Sequence, residues 1–425
     1  MKQSIVKFIV FFIISNFAQA SVWNAQRDWN SQDETNFSQF IQKQAGADYF
    51  KKLGSPYADL KLDCADAFYA LRIYFSYKNG LNFFVKNGPH FTTTQFDHIK
   101  NPDMRVTEYI KVIAAGKGTE SLALGDSYPI ALKSIRAGDL FMYKIQTSDG
   151  QYSRHAYIIK SVNTNGTFDV LYSTQARRDA GLPMNFTKQY SFSNAKWIPN
   201  HSAPADQNGW GFRRAKRSDQ FNVPASQIPG ANYEQYKAAN QYGSKFFDYV
   251  KSILTTVAET PEQTLNRMFD SLCHELDQRV EVVNMGLAYR ESINKSCMDA
   301  ATYDIYSTPS RDGAILGQYN QLLTKIHEVK NNNQWVNVSS KTQKLLAGVF
   351  IPSSRNAEVQ QLLKQSCTFH QQQKLNTDIG VFYDALKDGK ASNNPNDSLF
   401  LRWGIATTTK PTTCPSYMWG ILFLY

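Results

Sequence analysis

The chain of 425 residues lacks the features that mark fibrous, repetitive or disordered proteins. It has 23 glycines and 15 prolines without a tract of either, no internal repeat and no long block of one charge. Collagen-like, solenoid and wholly disordered architectures are therefore excluded. Because 42% of the residues are hydrophobic and 19% are charged, the chain can bury sizeable cores, and its length predicts two or three domains.

Several common catalytic motifs are also absent. The sequence has no Gly-x-Ser-x-Gly, no Walker loop, no His-Glu-x-x-His and no Gly-x-Gly-x-x-Gly. One local cluster, Cys273-His274-Glu275, lacks the second pair of ligands that a zinc site requires. We therefore expect neither a metal ion nor a cofactor.

Residues 1–20 have the composition of a secretory signal peptide. Lys2 and Lys7 precede or border a short apolar run at 8–14, and Ala18-Gln19-Ala20 offers a small-x-small cleavage site. This run and the apolar stretch at 417–425 are both too short to span a bilayer, so we expect no membrane span. The sequence predicts an exported protein, either periplasmic or extracellular.

The charge balance is moderately basic. Without the two leader lysines, the chain carries 44 basic and 36 acidic residues, a formal net charge of +8. This excess suits anionic envelope polymers or lipid head groups, and it equally serves simple solubility. The densest basic cluster, at 213–217, has no aromatic interleaving and no zinc spacing, so nucleic acid is not an expected partner.

The five cysteines are distributed unevenly along the chain. Four lie in the C-terminal part, namely Cys273, Cys297, Cys367 and Cys414, and an oxidising compartment favours two disulfides among them. Three pairings are possible, and the sequence does not choose among them. Cys64 is left over, as an inter-chain bridge, a buried inert residue or a reactive nucleophile.

Local patterns predict an α+β domain followed by a helical one. Ser31 and Glu34 form a candidate capping box for a first helix, and Asp63 is the candidate N-cap of a second helix that ends at Asn79-Gly80. Strand-like runs at 140–145, 155–162 and 167–172 predict an antiparallel meander, whereas 81–133 is expected to be irregular with short helices. We assign 21–218 to the first domain, 219–230 to a linker and 231–425 to a mostly α-helical, disulfide-stapled domain.

The predicted position of Cys64 at the start of a helix favours nucleophilic chemistry. It follows the Asp63 cap, and a helix N-terminus presents free N–H groups and a partial positive charge that stabilise a thiolate. His155 heads a predicted strand, from which its ring can project towards a packed helix and act as the proton shuttle. Asp66 opposes this effect, because its negative charge would tend to raise the pKa of the thiol.

Three segments, in the same order, resemble the NlpC/P60 type of papain-like cysteine peptidase. Residues 53–57 with Asp63-Cys64 are similar to that family's Gly-x-Pro-Tyr and Asp-Cys segments, 137–141 to its Gly-Asp-Leu strand and 155–159 to its His-Val-x-Ile strand. The resemblance covers about residues 50–175 and implies a helix packed on an antiparallel sheet. It makes Cys64 the nucleophile, His155 the general base and acid, and the Tyr57 hydroxyl an oxyanion donor beside the Cys64 N–H.

The chain also departs from that family. The Ser-Gly after the family's cysteine is Ala65-Asp66 here, and the separation of 91 positions from Cys64 to His155 implies an insertion. Strand alignment places the third, orienting residue at Tyr172, and the nearby polar substitutes are Asp169, Ser173 and Gln175.

Two main hypotheses follow. The first is an exported cysteine hydrolase that cleaves amide bonds, with cell-wall peptides or another envelope polymer as the substrate that the resemblance implies. The alternative is a catalytically degenerate papain-like module that serves as a cell-envelope binding or scaffolding protein. A more remote possibility is acyl transfer, since the same dyad serves acyl transferases.

Overall fold

The computed structural model describes residues 21–146, 152–192, 209–293, 297–369, 375–405 and 410–417. The predicted signal peptide at 1–20 and the apolar stretch from 418 onward lie outside these residues. The described part is α+β, as expected, with one six-stranded sheet and many helices. Its strands are β1 Ser127–Pro129, β2 Leu140–Gln146, β3 Tyr152–Val162, β4 Phe168–Tyr172, β5 Asn185–Tyr190 and β6 Gly211–Ala215.

Eight helices accompany the sheet in sequence up to residue 254. They are α1 Ser31–Lys43, α2 Tyr49–Leu53, α3 Cys64–Lys78, α4 Pro102–Gly116, α5 Thr119–Leu124, α6 Gln175–Asp179, α7 Glu234–Tyr242 and α8 Phe246–Leu254. The helices that follow are α9 Pro261–Ser292, α10 Ala300–Tyr306, α11 Pro309–Asn331, α12 Ser340–Phe350, α13 Ala357–Ser366, α14 Ile379–Lys387 and α15 Leu399–Arg402.

The strands pair antiparallel in the order β1-β6-β2-β3-β4-β5. The predicted meander therefore forms the β2-β3-β4 part of the sheet, with Tyr143 opposite His155 and Leu171 opposite Ile158. The chain enters the sheet at the edge strand β1, and it returns to that side of the sheet in β6, which lies between β1 and β2. The sheet thus places the strand that carries His155 at its centre.

The two faces of the sheet differ in chemistry. On one face, Lys144 of β2 and its register partner Arg154 of β3 both reach Glu120 of α5. Side chains alternate between faces along a strand, so His155 and Tyr157 point to the other face. We call that other face the aromatic face, and its rings include Phe141, Tyr143, Tyr157, Tyr172, Phe192 and Phe212.

Capping residues define where the first helices begin. Asp63 caps α3, as predicted, and the structure shows a complete capping box with Asp66. The box of α1 is formed one residue earlier than expected, by Asn30 and Asp33, because the Asn30 side chain accepts from the backbone N–H of Asp33. The segment 81–133 is more regular than expected, since α4 alone has 15 residues.

The boundary between the two large hydrophobic cores falls later in the sequence than residue 231, where the helical domain was expected to begin. One core extends from Val22 to Val250 and a second from Leu265 to Trp403. The segment 231–254, assigned above to the helical domain, therefore packs with the sheet. Phe247 of α8 covers the aromatic face, 5.5 Å from the ring of Phe141. We call residues 21–254 the sheet unit and residues 260–417 the helical unit.

Candidate functional site

The candidate nucleophile occupies the first position of α3. The Asp63 side chain accepts from the backbone N–H groups of Ala65 and Asp66, at 3.1 and 3.3 Å. Asp66 returns the interaction by accepting from the Asp63 N–H at 3.1 Å. The start of the helix is therefore fixed by two carboxylates that flank Cys64.

The thiol of Cys64 is enclosed. Cys64 is a free cysteine with 7% of its surface exposed, and its Sγ lies 3.2 Å from the Thr119 hydroxyl of α5. The backbone N–H groups of Ala156 and Ala65 also lie near enough to the sulfur to lower its pKa. Ala156 directly follows His155 on β3, so the sulfur lies near the backbone beside the candidate base, whereas the His155 ring points to the aromatic face, opposite the face that α5 covers.

Burial and a neighbouring carboxylate keep this thiol protonated. Burial, and then the charge of Asp63, raise the pKa of Cys64 to about 11, although the Thr119, Ala156 and Ala65 hydrogen bonds act in the opposite direction. At pH 7 only about one thiol in ten thousand is ionised at such a pKa. The resting site therefore contains a neutral thiol, in contrast to the thiolate that the helix N-terminus alone would favour.

Asp66 does not act on the thiol as expected from the sequence, where its charge was predicted to raise the pKa of Cys64. Burial and the charge of Asp63 raise the pKa of Asp66 to about 7, so this carboxyl is partly protonated near neutral pH. The carboxylate that raises the pKa of the thiol is Asp63, the cap itself. Asp63 is also 3.5 Å from the guanidinium of Arg178 on α6.

The candidate base stands among tyrosine rings. His155 is 9% exposed, and its ring centroid lies 4.6 Å from that of Tyr157, 5.6 Å from Tyr172 and 5.8 Å from Tyr143. The contacts with Tyr157 and Tyr172 are edge-to-face. This aromatic shell restricts the orientation of the imidazole.

One of the four candidates for the third residue touches His155 through its ring. This is Tyr172, the position that strand alignment indicated, and its hydroxyl donates to Gln278 Oε1 at 3.2 Å. The other three have partners elsewhere: Asp169 accepts from Asn163 and Gln189, Ser173 donates to the Leu62 carbonyl, and Gln175 donates to Asp179. The orienting contact in the structure is therefore aromatic.

Tyr57 is held away from the role that the resemblance gives it. Its hydroxyl donates to Asp103 at 2.8 Å, and its ring stacks against Phe50. Burial and this hydrogen bond raise the pKa of Tyr57 well above its ordinary value. Its use as an oxyanion donor stays a prediction that requires the hydrogen bond to Asp103 to break.

Sequence reasoning missed three residues of the site. Thr119 contacts the thiol from a segment that was expected to be irregular, Gln278 reaches Tyr172 from the helical unit, and Arg178 pairs with the Asp63 cap. Each contact joins residues far apart in sequence, and no local pattern at these positions distinguishes them from ordinary surface residues.

The four C-terminal cysteines form two disulfides, as expected. Of the three possible pairings, the structure has Cys273 with Cys367 and Cys297 with Cys414. Both bonds lie within the helical unit, and they are compatible with an exported protein. Among the described residues, no helix is both long and apolar enough to cross a membrane.

The described residues offer no group of three or more His, Cys, Asp or Glu side chains that could hold a metal ion. The chain matches no family model, no curated protein and no solved structure in the comparisons with known proteins. The arrangement of Cys64, His155 and Tyr172 must therefore be judged on its own geometry.

Proposed function

We propose that this protein is an exported cysteine hydrolase that cleaves amide bonds, with Cys64 as nucleophile and His155 as general base and acid. The observation that carries the proposal is the position of the thiol. The unpaired Cys64 begins a capped helix, and its Sγ lies near enough to the N–H of the residue that follows His155 for that N–H to lower the pKa of the thiol. Acyl transfer further requires the imidazole within hydrogen-bond reach of the sulfur, and the proposal assigns that contact to the substrate complex.

The neutral thiol determines how the reaction would start. His155 takes the thiol proton as the sulfur attacks the carbonyl carbon, so the thiolate forms during the attack and not before it. The Cys64 backbone N–H is suited to stabilise the oxyanion, whereas the next two N–H groups of α3, those of Ala65 and Asp66, already donate to Asp63. The imidazolium then protonates the leaving amine, and a thioester remains on Cys64.

The second half of the reaction needs only water. His155 removes a proton from a water molecule, whose oxygen attacks the thioester carbonyl. The carboxylic acid leaves, and the proton returns to the Cys64 sulfur. Each turnover thus consumes one water and one amide and yields one acid and one amine, and no cofactor enters the balance.

The substrate class is proposed from the resemblance and from charge. Cell-wall peptides carry amide bonds and are part of an anionic envelope polymer, which suits a chain with a basic excess. The test incubates the purified chain without its leader with cell-wall fragments and measures newly formed amines. The wild type is compared with Cys64→Ala, and with Gln39→Ala as a control at an exposed position of α1, remote in sequence from the site.

We expect amine release by the wild type and by the control, and none by Cys64→Ala. Equal release by wild type and Cys64→Ala would exclude Cys64 as the nucleophile. Absence of release by all three proteins on fragments that another amidase cleaves would exclude this substrate class.

One observation favours a second candidate function. The thiol is buried and protonated, and the Tyr57 hydroxyl is engaged by Asp103. These features suit a papain-like module without chemistry that serves as an envelope-binding or scaffolding protein. Co-sedimentation with insoluble cell wall that is equal for wild type and Cys64→Ala, together with no amine release, is the result that this second candidate predicts.

A further inference from the structure

The helical unit contacts the sheet unit next to the candidate base. Gln278 of α9 is 6% exposed, and its Oε1 accepts from the Tyr172 hydroxyl at 3.2 Å. The same oxygen accepts from Arg311 Nη1 of α11 at 3.0 Å. Two helices of the helical unit therefore fix the hydroxyl of the tyrosine whose ring lies against His155.

A second contact holds the same face of α9 against the sheet unit. Glu281, one turn after Gln278, pairs with Arg177 of α6 at 2.8 Å. The Arg177 side chain is buried, and its Nε donates to the Pro183 carbonyl at 2.8 Å. Strand β4 ends at Tyr172, and α6, which carries Arg177, directly follows it. The two contacts therefore attach α9 to the sheet unit at the end of β4 and again at α6.

We propose that Gln278 is a positioning residue for His155, acting through Tyr172. The proposal rests on the function proposed above, because it gives the helical unit a part in the same site. The contact between Tyr172 and His155 is edge-to-face, with ring centroids 5.6 Å apart, so the direction of the tyrosine ring bears on the imidazole. The direction of that ring is set by its hydroxyl, which donates to Gln278 Oε1, and Arg311 holds that oxygen in turn.

The chemistry of the contact predicts an effect on protonation. Aromatic rings interact more strongly with a cation than with a neutral ring, so a change in the Tyr172 orientation changes the balance between imidazolium and imidazole. A residue that merely supports the fold would not alter that balance. The pKa of His155 is therefore the appropriate readout.

The interface permits variants that fold. Gln278 Nε2 is buried without a hydrogen-bond partner, as are Asn185 Nδ2 and Thr187 Oγ1 of β5. Replacement of Gln278 by leucine removes this unsatisfied donor and also the acceptor of the Tyr172 and Arg311 hydrogen bonds, so it should lower the stability without leaving an unpaired group at position 278.

The experiment follows the titration of His155 by NMR in the full chain with both disulfides intact. The imidazole signal is assigned by its loss in His155→Gln. We compare wild type, Gln278→Leu, Tyr172→Phe and the double variant, with Glu291→Gln at the exposed end of α9 as the matched control. Circular dichroism and thermal unfolding verify that each variant is folded.

We expect Gln278→Leu and Tyr172→Phe to move the His155 midpoint in the same direction by about 0.5 pH unit or more. The double variant should show the shift of one single variant, since both remove the same hydrogen bond, and the control should not shift. Unchanged midpoints in folded Gln278→Leu and Tyr172→Phe would overturn the proposal, and so would fully additive shifts.

Failure of the proposed function gives a different result. The titration needs no substrate. If the wild type releases no amine but the variants show shifted His155 midpoints, the hydrolase function is contradicted, while the positioning of the imidazole by Gln278 stands. Full amine release with unchanged midpoints would contradict the positioning alone. If the protein is a hydrolase and Gln278 positions His155, the pH profile of amine release moves with the His155 midpoint in Gln278→Leu.

Discussion

At the scale of single residues, the environment of Cys64 combines opposing effects. The start of α3 and the N–H groups of Ala65 and Ala156 favour a thiolate, whereas burial and the Asp63 carboxylate favour the thiol. The thiol prevails, because the pKa of Cys64 is raised to about 11. The residue that provides the helix cap is thus also the one whose charge suppresses ionisation.

Replacing Asp63 by asparagine separates these two roles. Asparagine also caps helices well, so α3 is expected to keep its start in Asp63→Asn, while the negative charge near the sulfur is lost. The pKa of Cys64 should fall by about 0.5 to 1 unit, which makes alkylation at pH 8 about three to ten times faster. The measurement is the rate of iodoacetamide modification of Cys64 against pH, read by mass spectrometry.

The control for this prediction is Asp59→Asn, an exposed carboxylate shortly before the same helix. It should leave the rate unchanged. A midpoint near 8 in the wild type, or identical profiles for the wild type and Asp63→Asn, would show that the described environment of the thiol is wrong.

At the scale of elements, local signals could be predicted and distant contacts could not. The Asp63 cap and the Thr260-Pro261 start of α9 depend on a few neighbouring residues, so the sequence predicts them. The placement of α8 with the sheet depends on which apolar surface its Phe247 covers, and amphipathic periodicity does not specify the partner. The same limit explains why Thr119 and Gln278 were missed.

The segment between the two units depends on one carboxylate. Glu259 Oε1 accepts from Asn165 of the sheet unit at 2.7 Å and from Arg267 of α9 at 2.8 Å. Although burial would raise its pKa, the hydrogen bond and charge of Arg267 outweigh that effect and lower the pKa of Glu259 to about 2. Glu259 therefore ties the start of α9 to the loop after β3.

This carboxylate gives a pH-dependent contribution to stability. Its pKa is lower in the folded than in the unfolded chain, so the contribution is full above about pH 4.5 and is lost as the pH falls towards 2. Glu259→Gln should lower the free energy of unfolding by about 1–2 kcal/mol at pH 7 and by less at pH 3. Thermal unfolding at a series of pH values measures both.

The matched variant for this series is Glu291→Gln, an exposed carboxylate near the other end of the same helix. It should unfold like the wild type throughout. A deficit of Glu259→Gln that is constant or grows as the pH falls from 4.5 to 3 contradicts the assigned role of the charge.

At the scale of the whole molecule, the part of the chain that the structure describes has two large hydrophobic cores, and both disulfides lie in the helical unit. The core from Leu265 to Trp403 contains the bond between Cys273 and Cys367, and the bond between Cys297 and Cys414 lies in the same unit. The core of the sheet unit contains the unpaired Cys64. Reduction should therefore act on the helical unit.

Mild reduction of the folded chain tests this division. We expect the helical unit to lose about 2–4 kcal/mol per bond broken, because each bond closes a long loop. The transition of the helical unit should move to lower temperature in calorimetry, and that of the sheet unit should move much less. Hydrogen exchange read by mass spectrometry assigns each transition to its unit. Equal shifts of both transitions would show that the two cores unfold as one.

The central claim is that Cys64 and His155 act as one unit, and a double-mutant cycle on activity tests it most directly. Amine release from cell-wall fragments is measured for wild type, Cys64→Ala, His155→Gln and the double variant. Residues that act together lose activity in a strongly non-additive way. We expect each single variant to be as inactive as the double variant. Activity of His155→Gln close to that of the wild type, or losses that simply multiply in the double variant, would contradict it.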